Sequence, residues 1–110
     1  MRIVLVNWAK IQAGASHGGG VNGYCRAVGL ELAARGHDVI SVSSGTTYER
    51  LGDQIGPCQM RRHEDWRGIQ AYEVINSPVL APSMAQFKDP LGEVASPSLE
   101  AELSRLFQRL

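Results

Sequence analysis

The apolar and polar positions of the chain alternate between two periods. Ile3-Val4-Leu5-Val6 is a short β-branched run closed by Asn7, and it reads as a strand buried on both faces, as in a parallel sheet. From Val21 the spacing changes. Val21, Cys25, Val28 and Leu32, with Tyr24 beside them, recur as one face of a helix. Arg35 suits the negative end of that helix, and Gly36 is the residue expected just past its end. Val39-Ile40-Ser41-Val42 predicts a second strand, completing a strand, glycine-rich loop, helix and strand.

Residues 45–68 give a weaker pattern, with Gly52, Gly56-Pro57 and a mixed charge run from Arg61 to Arg67. A short helix over Tyr48 to Gln54 is the expectation there. Ile69 to Ile75 alternates apolar with polar and predicts a third strand, ended by Asn76-Ser77-Pro78. Pro78, Pro82 and Pro90 break up a loop to about Ala95. Ser96-Pro97 is a strong helix start, and Leu99, Leu103, Leu106, Phe107 and Leu110 supply its apolar face. The expected class is α/β: a Rossmann-like parallel sheet of three strands with flanking helices, incomplete as a domain.

Composition changes this picture little. The 110 residues are 44% hydrophobic and 20% charged, as in an ordinary globular domain. Eleven basic residues balance eleven acidic ones, so the footprint of a nucleic-acid binder is missing. No apolar run approaches the ~20 residues that span a bilayer. Cys25 and Cys58 are not in a C-x-x-C pair, which favours a reduced, cytoplasmic setting. Cys25 reads as a small hydrophobe on the helix face.

The chemistry concentrates in the loop that opens the first helix. Gly18, Gly20 and Gly23 match G-x-G-x-x-G. The dinucleotide fingerprint also asks for a glycine directly after the first strand and an acid at the end of the second. About ten residues intervene here, and Ser41-Val42-Ser43-Ser44 offers no carboxylate. A phosphate-binding Gly-Lys-Ser/Thr is missing too. The physics of a helix N-terminus survives both failures: bare backbone at Gly18, Gly19 and Gly20 beside unpaired N–H groups suits an anion. A plain flexible connection is the competing reading.

Gly19-Gly20-Val21-Asn22-Gly23-Tyr24, followed by Leu30-Glu31-Leu32-Ala33-Ala34-Arg35-Gly36-His37-Asp38-Val39, resembles the N-terminal domain of glycosyltransferase family 4. These are retaining, nucleotide-sugar-dependent enzymes of the GT-B fold. Tyr72 to Asn76 and Pro97 to Leu110 also fit. The resemblance covers about two thirds of the chain and is weak from Gly45 to Gly68.

The resemblance implies that residues 1–110 form part of the acceptor-side domain of a larger enzyme, cut before its fourth strand. A donor-binding C-terminal domain with paired glutamates would lie beyond Leu110. It implies phosphate, donor or acceptor contacts at Gly19, Gly20 and Asn22, with Tyr24 lining the acceptor side or simply packing. From their own positions at the ligand end of the sheet, Gly18 joins the anion-binding backbone, Trp8 walls the cleft or covers the core, His17 touches a phosphate or is merely solvated, and Asn76 is an acceptor-contact candidate. The family's usual histidine after the fourth strand has no counterpart, so no residue here is expected to be catalytic and the chain alone is expected to be inactive. Expected partners are a nucleotide-sugar donor, a small-molecule or glycan acceptor and the missing domain. No cofactor and no metal are expected. The location expected is cytoplasmic, or peripheral to the inner membrane for the full protein. The alternative is a non-catalytic α/β module binding a nucleotide or phosphorylated metabolite.

Several other residues have both a functional and a plain reading. Lys10 is a cation near the loop, and Ser77 ends the third strand on the ligand side. His37, in the helix-to-strand turn, reads as capping or packing. His63-Glu64-Asp65 reads as a solvated loop rather than a metal site. In a 3-2-1-4 strand order the missing fourth strand would leave Ile3 to Val6 as a bare edge. Self-association through that edge, or its cover by the last helix, is the expectation.

Overall fold

A computed structural model describes residues 1–13, 19–44, 47–77 and 97–110. Strand β1 is Arg2–Asn7, helix α1 Gly19–Ala34 and strand β2 Asp38–Ser44. Two short strands, β3 Arg50–Leu51 and β4 Gln54–Ile55, pair antiparallel as a separate hairpin. Strands β5 Gln59–Arg62 and β6 Gln70–Ile75 and helix α2 Pro97–Arg109 follow. The main sheet has the order β1-β2-β6-β5. The first three strands are parallel and β5 is antiparallel to β6.

The protein is therefore α/β with a mixed four-stranded sheet rather than a parallel sheet of three. The expected strand-helix-strand-strand core stands in the expected neighbour order. The helix expected over Tyr48 to Gln54 is replaced by the β3–β4 hairpin. Gly52 takes φ +65 as the first central residue of its turn, a conformation no helix interior holds.

Helix α1 ends as its sequence implies. Gly36 has φ +86, its N–H donates to the Ala33 carbonyl at 3.0 Å, and the His37 N–H donates to Leu32 at 3.1 Å. These are the two bonds of a Schellman cap, which needs a residue free to turn left-handed.

The face of α1 against the sheet is not the expected one. Val21 and Tyr24 are exposed, and Asn22 and Gly29 are buried. At 100° per residue the contact face is rotated by about 80° from the Val21-Cys25-Val28-Leu32 stripe. Gly29 is the reason. A Cβ placed there would lie 3.1 Å from Ile69 Cδ1 and 3.2 Å from Leu5 Cδ1, so the helix backbone packs here with no room to spare for a side chain. Cys25, next to that centre, is half-buried.

The core has two layers. On the α1 side, Ile11, Val39, Ile69 and Ala71 are buried, with Leu5, Leu30, Leu32, Ala33 and Trp66 packed on them. On the opposite side Ile40, Val42 and Leu106 are buried beneath Met60, Tyr72, Leu103 and Leu110. Helix α2 thus lies over β2, β6 and β5 and does not extend to β1. Val4 is 36% and Val6 60% exposed, so β1 is half-buried on one face and exposed on the other.

Candidate functional site

The carboxyl ends of β1, β2 and β6 point the same way because the three strands are parallel, and α1 begins at that end after the loop from β1. Asn7 closes β1. Its Oδ1 accepts the Trp8 N–H at 2.8 Å, and its Nδ2 donates to Asn22 Oδ1 at 3.3 Å. Asn22, fully buried in the first turn of α1, donates in turn to the Lys10 carbonyl at 3.5 Å. The two asparagines bind the start of α1 to the chain leaving β1.

A second brace comes from β6. Asn76 is buried with φ +55, a left-handed position that asparagine tolerates better than most residues. Its Oδ1 accepts the Glu49 N–H at 2.6 Å and its Nδ2 donates to the Pro57 carbonyl at 3.2 Å. Its own N–H donates to the Thr47 carbonyl at 3.0 Å. Lys10 Nζ reaches Thr47 Oγ1 at 3.2 Å, so a polar chain runs from α1 through Lys10 to the end of β6. Burial pushes the Tyr48 phenol above its usual pKa and keeps it a neutral hydrogen-bonding group.

The sequence candidates fall into four sets. Asn22 and Asn76 are enclosed and hydrogen-bonded within the protein, and Trp8 is half-buried beside Asn7. Gly19 and Gly20 open α1, whose first turn holds no acidic residue. A Cβ at Gly20 would meet nothing within 4 Å, so its lack of a side chain serves no packing need. Tyr24 stands on the exposed side of α1. Gly18 and His17 lie outside the described residues. Among the described residues no cluster of three or more metal-ligating side chains occurs.

Sequence reasoning missed a part-buried histidine–glutamate hydrogen bond. Glu73, fully buried on β6, sits 2.8 Å from His63 Nε2. The pair joins the segment after β5 to β6, where the His63 N–H donates to the Ala71 carbonyl at 2.9 Å. The signal was present: His63 and Glu73 flank a tight turn at Arg67-Gly68, both residues with positive φ. The charge run around His63 hid it.

Comparison with known families, curated proteins and solved structures gives no match for this chain. Among the described residues no helix is long and apolar enough to cross a membrane.

Proposed function

We propose that this chain is the acceptor-side, Rossmann-like half of a retaining, nucleotide-sugar-dependent glycosyltransferase, acting in the cytoplasm or at the inner face of a membrane. The observation that carries the reading is a convergence. At the carboxyl ends of β1, β2 and β6 stand the N-terminus of α1, with no acid in its first turn, and Lys10, held by Thr47. Open α/β sheets bind ligands at that end, and unpaired helix N–H groups with a nearby ammonium favour phosphate.

In this reading the chain's own residues supply binding and electrostatics. The N–H groups of α1's first turn and the Lys10 ammonium hold a phosphate group of donor or acceptor. Preorganised donors of this kind stabilise charge that grows on a leaving diphosphate. The Asn7–Asn22 and Asn76 braces fix the loop ends so that the donors need not reorganise on binding. Transfer itself requires a donor-binding domain in addition to these residues.

An amide-resolved titration with inorganic phosphate, UDP, UDP-glucose, a sugar phosphate and NAD tests this. The expected result is shifts centred on residues 18–22 with every phosphate-bearing ligand, UDP acting at lower concentration than NAD. Lys10→Ala weakens phosphate binding severalfold. Stronger binding of NAD than of UDP at the same amides, or no shift at millimolar phosphate, would overturn the proposal.

A further inference from the structure

The chain leaving β1 closes a tight turn at residues 10–13, in which the Ala13 N–H donates to the Lys10 carbonyl at 3.0 Å. Ile11, inside that turn, is buried in the α1-side core. Two side chains of α1 hold the turn's two ends. Asn22 Nδ2 donates to the Lys10 carbonyl at 3.5 Å. Arg26, one helical turn further along the same face, donates through Nη1 to the Ala13 carbonyl.

Arg26 is itself held. Its guanidinium carbon lies 4.8 Å from the centroid of the Trp66 ring, and Trp66 is packed on the α1-side core. A planar guanidinium over an indole is among the better cation–aromatic contacts. The Arg67 guanidinium lies 5.1 Å from the same ring. Trp66 and Ile69 exchange both backbone N–H···O bonds at 2.9 Å, so Arg67 and Gly68, with φ +49 and +82, are the central residues of a two-residue turn. Asparagine or glycine normally takes the first of those places. Arginine holds it at a cost in backbone strain, and its side chain stacks on Trp66.

The partners of Arg26 set it apart from most arginines of the chain. Arg2, Arg35, Arg61, Arg62 and Arg105 each pair with a carboxylate. Arg26 instead joins a carbonyl of the turn after β1 to an aromatic ring of the β5–β6 connection. A rigid, flat fork can stack and donate at once, which the single ammonium of a lysine cannot do.

From this geometry we infer that Arg26 is a positioning residue for the anion site: braced on Trp66, it holds the Ala13 end of the turn at residues 10–13 and so fixes where the Lys10 ammonium stands. The inference rests on the phosphate reading proposed above. Arg26 itself makes no contact with the anion in this account. Asn22 secures the Lys10 end of the turn and Ile11 its middle, and Arg26 secures the end that leads on toward α1. Without it that end is released, and the ammonium, now 3.2 Å from Thr47 Oγ1, spreads over a wider range of positions. A cation already in place need not be ordered when the ligand binds, which raises affinity. The effect of Arg26 therefore passes through Lys10 and disappears where Lys10 is absent.

The test combines titration with inorganic phosphate and hydrogen exchange on the 110-residue chain. Arg26→Met is expected to weaken phosphate binding at least about threefold, the lower range of coupling within one hydrogen-bonded network. It is also expected to speed exchange of the Ala13 amide in the ligand-free protein. Arg26→Lys keeps the charge and is expected to restore neither property. In the Lys10→Ala background, Arg26→Met is expected to cause no further loss of affinity. Trp66→Phe keeps an apolar ring on the core with a weaker hold on the cation. It is expected to move both readouts the same way by less, and it serves as the second variant should Arg26→Met fail to fold. Unchanged Ala13 exchange, full rescue by lysine, or losses that add in the double variant would each overturn the inference. A wild-type chain that binds no phosphate at millimolar concentration would overturn the anion site itself, and Ala13 exchange would still decide whether Arg26 holds the turn.

Discussion

Gly29→Ala separates two effects that differ in sign. In a helix interior the change gains about 1 kcal/mol, because glycine loses more backbone entropy and alanine is the best helix former. At this site the new methyl meets Ile69 Cδ1 at 3.1 Å, Leu5 Cδ1 at 3.2 Å and Ile11 Cδ1 at 3.4 Å. All three atoms are side-chain ends, but Ile69 and Ile11 are buried and have little room to retreat. Overpacking a filled core costs about 1–3 kcal/mol. The clash therefore outweighs the propensity gain, and Gly29→Ala is expected to destabilise by about 1 kcal/mol. Gly23 is the control, because a Cβ there meets nothing within 4 Å and Gly23→Ala should stabilise by about 0.5–1 kcal/mol. Urea unfolding of both variants reads the difference directly. A double-mutant cycle strengthens it. Ile69→Val alone should cost about 0.5–1.5 kcal/mol, but in the Gly29→Ala background it removes the nearest clashing atom and should cost less, a coupling of at least about 0.5 kcal/mol. Equal stabilisation by Gly29→Ala and Gly23→Ala, or an additive cycle, would refute the close helix–sheet approach.

Two further outcomes follow from the buried polar groups. His63→Ala removes the 2.8 Å hydrogen bond to the enclosed Glu73 side chain and should cost about 0.5–1.5 kcal/mol in urea unfolding. Adding Glu73→Gln should recover part of that loss, and a change below about 0.5 kcal/mol, the range of ordinary surface substitutions, would show the pair to be incidental. Burial, with a smaller push from Glu102, raises the Cys58 thiol above its usual 9.0, against pulls from Ser98 and Arg105. Iodoacetamide should therefore alkylate Cys58 more slowly than a small free thiol at pH 8, whereas an equal or faster rate would contradict the burial argument. Because the folded state favours the protonated thiol, the stability gained is full below the unfolded thiol's pKa and is lost as pH rises through the folded one.

Most of the fold was legible where backbone chemistry and side-chain pattern agree. The β-branched runs at Ile3 and Val39 and the alternation at Ile69 marked the three parallel strands, and Gly36 and Pro97 marked helix ends. What failed did so for definable reasons. β5 reads Gln-Met-Arg-Arg, a polar edge strand whose identity comes from pairing with β6 rather than from its own periodicity. The two-residue strands of the β3–β4 hairpin are too short for any period to show, although Gly52-Asp53 carried the turn chemistry.

The misplaced face of α1 and the hidden part of the candidate site have one cause. A hydrophobic-moment argument gives no weight to glycine and counts asparagine as outward, yet Gly29 and Asn22 are what this helix turns toward the sheet. They lie seven residues apart, on one line down the helix, and they do complementary things. Gly29 lets the middle of α1 sink onto Leu5 and Ile69. Asn22, one end of that same line, is thereby driven beneath the surface at the strand ends, where a buried amide must find partners. It finds Asn7 and Lys10, the residues that end β1 and begin its loop. The polar chain at the carboxyl ends of the strands is thus partly a consequence of how closely the helix packs. Loosening the contact at Gly29 should loosen the first turn of α1 and its anion-binding geometry with it, so Gly29→Ala should weaken phosphate binding at the far end of the helix as well as lower stability. A variant that loses stability but leaves phosphate affinity untouched would separate the two, and would place the preorganisation of the site in Asn7 and Lys10 alone.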